Sequence, residues 1–73
     1  MVYVFMILSP GCDLHGETFT VTATTRVGAD ARAASYLRDT FSLASAERRA
    51  TTSMRFVCEY TSRRAFERSE ESL

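Results

Sequence analysis

The opening apolar segment, Val2–Leu8, predicts a β-strand that is covered on both faces. It is rich in β-branched and aromatic residues, and Ser9-Pro10-Gly11 breaks it abruptly. Successive side chains of a strand point to opposite faces, so this uninterrupted apolar run makes both faces apolar. Such a pattern is typical of the central strand of a sheet.

Two further alternating patterns predict two more strands. Residues 18–27 alternate between apolar side chains and a threonine-rich polar set, which indicates a strand with one buried and one solvated face. A loop at residues 10–16 would join this strand to the first as a hairpin. Near the end of the chain a third strand is predicted, in which Met54, Phe56, Cys58 and Tyr60 share one face and Arg55, Val57, Glu59 and Thr61 share the other.

A helix is predicted between the second and third strands. Gly28 breaks the preceding strand, and Asp30 is a suitable N-cap. The helix should end near Glu47, because Arg48 would otherwise fall on its apolar stripe. At 100° per residue that stripe consists of Ala33, Ala34, Leu37, Phe41 and Ala44.

The order ββαβ predicts an α+β fold with a three-stranded antiparallel sheet and one helix packed on one face. A right-handed crossover through the helix brings the third strand to the free side of the first, so the strand order is 2-1-3. Residues 1–61 form a single α+β domain in this interpretation. Residues 62–73 are a charged C-terminal tail or a short helix around Ala65 and Phe66.

The face that the helix leaves uncovered is the predicted interaction surface. We expect the helix to cover Val4, Met6 and Leu8, so that the opposite face presents Tyr3, Phe5, Ile7 and Val57, rimmed by Thr20, Thr22, Arg55 and Glu59. Leaving three large apolar side chains in water forgoes several kcal/mol, at about 25 cal/mol per Å². Three covers remain open: the tail through Phe66 and Leu73, a second copy of the chain, or a target protein.

Charge leaves nucleic-acid binding as an alternative function. Nine basic residues balance nine acidic ones, whereas a dedicated duplex-binding domain is usually strongly basic. A platform for single-stranded nucleic acid would combine stacking on Tyr3 and Phe5 with four arginines, Arg48, Arg49, Arg63 and Arg64.

The sequence predicts no cofactor, no metal and no catalytic site. Cys12 and His15 have the spacing of half a zinc site, but only Cys58 remains as another strong ligand. A Cys–His nucleophilic pair would lack an orienting third group.

The apolar start has no basic region typical of a signal peptide, so we expect a cytoplasmic protein without membrane association.

Residues 16–23, Gly-Glu-Thr-Phe-Thr-Val-Thr-Ala, are followed at positions 30–34 by Asp-Ala-Arg-Ala-Ala. This pattern resembles that of short bacteriophage proteins, among them anti-CRISPR inhibitors of type I systems, over about residues 1–45. The resemblance implies a non-enzymatic inhibitor, working in the host cytoplasm, that binds a subunit of the CRISPR surveillance complex or its nuclease. It would block DNA recognition or cleavage there.

The leading prediction is therefore a small protein-binding inhibitor. Its expected contact residues lie on the exposed sheet face and at the helix edge: Tyr3, Phe5, Ile7, Arg55, Val57, Tyr36 and Asp39. The alternatives are a single-stranded nucleic-acid binder and a homodimeric assembly module.

Overall fold

The computed structural model describes residues 1–61, 64–65 and 67–68. Within residues 1–61, three strands and two helices follow one another: β1 (Val2–Leu8), β2 (Thr18–Thr22), α1 (Arg26–Thr40), α2 (Ala46–Ala50) and β3 (Ser53–Tyr60). Arg64, Ala65, Glu67 and Arg68 are also helical. No helix within the described segments is both long and apolar enough to cross a membrane.

The three strands form one antiparallel sheet in the order β2-β1-β3, with α1 lying over β1 and β2. The predicted α+β class, the strand order and the central position of β1 are confirmed. The second helix, α2, was not predicted. It occupies the connection between α1 and β3, so the order is ββααβ.

Side-chain caps explain why the helix boundaries differ from those expected. Helix α1 begins at Arg26, because the Oγ1 of Thr25 accepts a hydrogen bond from the Gly28 N–H at 3.1 Å. The predicted N-cap Asp30 lies inside the helix and pairs with Arg26 instead. The second strand accordingly ends at Thr22, before residue 27.

The C-terminal end of the helix was also misplaced. Helix α1 ends at Thr40, not near Glu47, and Phe41 is its C-cap. A short loop follows, and the Oγ of Ser45 accepts from the Arg48 N–H at 3.1 Å to start α2. The predicted stripe is nevertheless on the inner side: Ala33 and Phe41 are buried, and Leu37 and Ala44 pack against the core.

Helix α1 covers the face of the sheet opposite to the one expected. Antiparallel partners share a face, and Phe5 lies opposite both Phe19 of β2 and Phe56 of β3. This row of aromatic rings lies beneath α1, together with Tyr3 and Ile7. The prediction that Tyr3, Phe5 and Ile7 face outwards is therefore wrong. The register gathers the largest side chains on one face, and α1 packs there.

A β-bulge in β3 changes which of its residues share a face. Phe5 pairs with Phe56 and Val4 with Cys58, so Val57 has no partner in β1. Beyond the bulge, Cys58 lies on the face away from α1 and Glu59 lies opposite Tyr3. The prediction of one uninterrupted alternation from Met54 to Thr61 is wrong, because a bulge shifts the alternation by one residue.

The face away from α1 is not uniformly exposed. Val2 and Val4 are buried there, whereas Met6 and Leu8 are partly exposed. The expectation that Phe66 and Leu73 cover a sheet face concerns positions that lie outside the described residues.

Candidate protein-docking surface

The predicted contact residues of β1 are part of the core. Phe5 is 1% exposed, and Tyr3 and Ile7 are also buried. The Phe5 ring stacks on Phe19 with centroids 5.8 Å apart and meets Phe56 edge-on at 5.9 Å. A partner could reach these three residues only after α1 had moved away. A docking surface built on them is therefore excluded for the folded chain.

The other four predicted contact residues are exposed but do not form one surface. Arg55 lies opposite Met6 on the face away from α1, and Val57 lies at the bulge of edge strand β3. Tyr36 and Asp39 belong to the last turns of α1 on the other side of the sheet. The ring of Tyr36 stacks on that of Phe19 with centroids 4.2 Å apart, so one face of the Tyr36 ring is packed against the core.

The half-buried Arg48 is hydrogen-bonded to the loop that follows β1. Its Nη1 donates to the Ser9 carbonyl at 3.4 Å, to the Ser9 Oγ at 3.0 Å and to the Pro10 carbonyl at 2.7 Å. Thr52 donates its hydroxyl to the Arg48 carbonyl at 2.7 Å, so Ser9, fully buried, must donate to Thr52 across 2.8 Å. These bonds run in a closed ring and attach the loop after β1 to α2.

His15 supports the same loop. Its Nδ1 accepts a hydrogen bond from the Ser9 N–H at 2.9 Å, so the neutral ring carries its hydrogen on Nε2. The nearby Cys12 packs against the core, whereas Cys58 lies on the opposite face of the sheet. Among the described residues, no three His, Cys, Asp or Glu side chains lie close enough to hold a metal ion.

The structure contradicts the predicted platform for single-stranded nucleic acid. Tyr3 and Phe5 are buried and cannot stack on bases, and Arg48 is bonded to Ser9 and Pro10. Arg64 is exposed, and Arg63 lies outside the described residues. Of the four arginines in the predicted platform, Arg49 is exposed and lines a hollow on the surface of the fold.

That hollow is small and lies between the end of α1 and α2, with a volume of about 150 Å³. Leu37 and Phe41 give it an apolar floor, and Arg38, Arg49 and Thr52 complete its lining. Arg38 donates to the Ser35 hydroxyl across a long 3.5 Å. The guanidinium of Arg49 makes no hydrogen bond or ion pair with any residue that the structure describes.

Leu43 is the most exposed large apolar residue at this end of the fold. It lies in the loop between α1 and α2, two residues beyond Phe41, and is 99% exposed. We call the hollow, its two arginines and Leu43 the α1–α2 surface. Tyr36 and Asp39 lie on the same last turns of α1.

Sequence reasoning missed the main elements of this surface. The pattern placed Leu43 in the last turns of a helix expected to end near Glu47, because the apolar stripe continues from Phe41 to Ala44 and gives no sign of the cap at Ser45. Arg38 carried no signal beyond its charge. The Ser45-Ala46-Glu47-Arg48 segment did contain a helix-start signal, a serine followed directly by helix-forming residues.

No family model matches this chain, and no curated protein or solved structure matches it either.

Proposed function

We propose that this chain is a small protein-binding inhibitor without a catalytic role, and that it docks on its partner through the α1–α2 surface. One observation carries the proposal: a fully exposed leucine follows, two residues along the chain, the Phe41 that lines an apolar hollow together with two arginines. Leaving a leucine side chain in water forgoes about 1.5–3 kcal/mol relative to burying it.

The composition of this surface is that of a docking site. The cores of protein interfaces are apolar, and arginine is enriched among the residues that contribute most to binding. The β3 edge supports docking less well, because a bulge and an exposed arginine both discourage strand addition. The balanced formal charge also favours a mixed protein surface over imitation of DNA.

The resemblance to short anti-CRISPR inhibitors supplies the candidate partner. A subunit of a type I CRISPR surveillance complex, or the nuclease that it recruits, would present acidic and apolar side chains to the α1–α2 surface. Docking there would block DNA recognition or cleavage. The chain itself would need only affinity, which suits a protein of 73 residues.

The test uses a purified type I surveillance complex, its nuclease and a target DNA. We expect the chain to co-elute with the complex or the nuclease in size-exclusion chromatography and to inhibit cleavage. Leu43→Asp should weaken inhibition about tenfold or more, because it places a charge where an apolar contact is needed. Val27→Asp is the matched control, since Val27 is 79% exposed at the other end of α1.

The partner and the surface can fail separately. If the chain neither binds nor inhibits the complex and nuclease, the proposed partner is wrong. If it inhibits but Leu43→Asp and Val27→Asp inhibit equally well, the α1–α2 surface is wrong. Sedimentation of the chain alone tests the homodimer alternative, since a stable dimer that is disrupted by Leu43→Asp would assign this surface to self-assembly.

A further inference from the structure

The hollow of the α1–α2 surface has a chemistry that selects among ligands. Its floor is apolar and its two charged lining residues, Arg38 and Arg49, are both cationic. The described residues that line it include no carboxylate. At about 150 Å³ it has room for a side chain and is small for a cofactor, because ligand pockets usually measure roughly 300–1,000 Å³.

Both arginines stabilise a helix end, and this role leaves hydrogen-bond donors of their guanidinium groups available to a ligand. Each lies in the last turn of a helix, where a positive charge stabilises the helix dipole. That interaction needs only the charge, whereas a guanidinium offers five donors in a planar fork. Arg38 uses one of them, in a long bond to Ser35, and Arg49 uses none with any described residue.

We propose that this hollow binds a carboxylate side chain of an acidic peptide segment in which a glutamate or aspartate adjoins an apolar residue. The carboxylate would accept charge-assisted hydrogen bonds from Arg38 and Arg49, and the apolar neighbour would cover Leu37 and Phe41. The proposal deepens the proposed function by naming the chemistry of the docked segment. Peptide binding can be measured without the partner protein.

The experiment titrates the ¹⁵N-labelled chain with two synthetic peptides, acetyl-Gly-Glu-Phe-Glu-Gly-amide and its glutamine counterpart. We expect the glutamate peptide to shift the Nε–Hε resonances of Arg38 and Arg49 and to bind about tenfold more tightly than the glutamine peptide. Arg49→Gln should weaken binding about tenfold. Arg32→Gln is the matched control, because Arg32 is exposed on α1 but lines a different cleft, and it should change binding less than twofold.

A lysine substitution separates binding from helix stability. Arg49→Lys keeps the charge at the end of α2 but loses the planar fork, so it should fold normally and still bind several-fold more weakly. If Arg49→Gln does not fold, Arg49→Lys alone tests whether the guanidinium of Arg49 binds the carboxylate. Unchanged binding by Arg49→Lys and Arg49→Gln, or peptide shifts that spare Arg38 and Arg49, would overturn the proposal.

Two further titrations, with inorganic phosphate and with a decathymidylate, identify the class of anion. We expect both to bind more weakly than the glutamate peptide, because inorganic phosphate has no apolar group and the buried Phe41 offers no open ring face on which a thymine base could stack. Tighter binding of the oligonucleotide, with Arg49→Gln abolishing it, would reject the peptide and assign the hollow to nucleic acid. Peptide binding without CRISPR inhibition would leave this proposal standing and reject the partner named above.

Discussion

The packed part of the fold, which includes the core beneath α1 and the bonds around Ser9, and the α1–α2 surface both contain large apolar side chains and arginines, but in opposite environments. Beneath α1, Phe5 is enclosed by other aromatic rings, and at the junction of α2 with the loop after β1 the half-buried Arg48 donates three hydrogen bonds to Ser9 and Pro10. On the α1–α2 surface, Leu43 is exposed, and the guanidinium of Arg49, the next residue after Arg48, makes no hydrogen bond with any described residue. Residue type and sequence position do not separate these roles. The difference lies in contacts with segments far away along the chain.

The largest expected effect is that of Phe5→Asp. Truncating a buried phenylalanine costs about 3–5 kcal/mol, and an unpaired buried carboxylate adds several more. The whole domain should be stable by only about 4–11 kcal/mol, at the usual stability per residue. We therefore expect Phe5→Asp to be unfolded in buffer by far-UV circular dichroism.

Phe5→Leu is the control for that substitution. It keeps an apolar side chain under α1 and should remain folded, with a loss of roughly 1–2 kcal/mol in urea unfolding. A folded Phe5→Asp variant with native-like circular dichroism would show that Phe5 does not lie in the core, and would restore it as a contact residue.

The sequence predicted which segments form strands better than it predicted which strand face is covered by α1. Alternation identified β2 and β3, and the uninterrupted apolar run identified β1 as the central strand, because these are local patterns. The face that α1 covers depends on which β1 residue lies opposite Phe19 and Phe56, and register is a property of pairing between distant segments. The bulge at Val57 likewise has no local signal.

The candidate site was less predictable for the same reason. Tyr36 and Asp39 were expected at an exposed helix edge, and both are exposed at the end of α1. The hollow required the end of α1 to meet α2, and α2 was not predicted. The separate roles of Arg48 and Arg49 depend on the position of Ser9, which precedes them by about forty residues.

The second prediction compares the two adjacent arginines directly. Arg48→Met should lower the free energy of unfolding by about 2 kcal/mol, because three hydrogen bonds are lost and the buried Ser9 hydroxyl loses a donor. Arg49→Met should change it by less than about 0.5 kcal/mol. Urea unfolding of both variants measures the difference. Equal losses would mean that the ring of bonds through Ser9 and Thr52 does not stabilise the fold.

A smaller effect is expected at Arg26, in the first turn of α1 and at the end of that helix away from the α1–α2 surface. Its guanidinium lies 3.8 Å from the centroid of the Phe56 ring and pairs with Asp30 at 2.9 Å. Arg26→Lys keeps the charge in the first turn of α1 but loses the planar stacking, so we expect a loss of about 0.5 kcal/mol. Asp30→Asn should cost no more, because the ion pair is about half exposed.

A ring-current measurement checks this contact independently of stability. The side-chain protons of Arg26 should resonate upfield of their usual positions, because they lie over the face of the Phe56 ring. Phe56→Leu should return them to ordinary values, whereas Asp30→Asn should not. Arg26 protons at ordinary positions in the unmodified chain would refute the stacking geometry.

The smallest effect on stability is expected for Leu43→Asp. Because the fold should tolerate this substitution, any loss of inhibition can be assigned to the surface and not to unfolding. Leu43 is 99% exposed, so its replacement removes almost no buried area and should change the free energy of unfolding by less than about 0.5 kcal/mol. Val27→Asp should behave in the same way in the isolated chain. If Leu43→Asp instead destabilises the chain by 1 kcal/mol or more (about a factor of five in the folding equilibrium), Leu43 has a role in the fold itself. Its exposure would then no longer argue for a partner. A stable Leu43→Asp variant that has lost inhibition, beside a stable Val27→Asp variant that keeps it, places the role of Leu43 outside the chain's own folding.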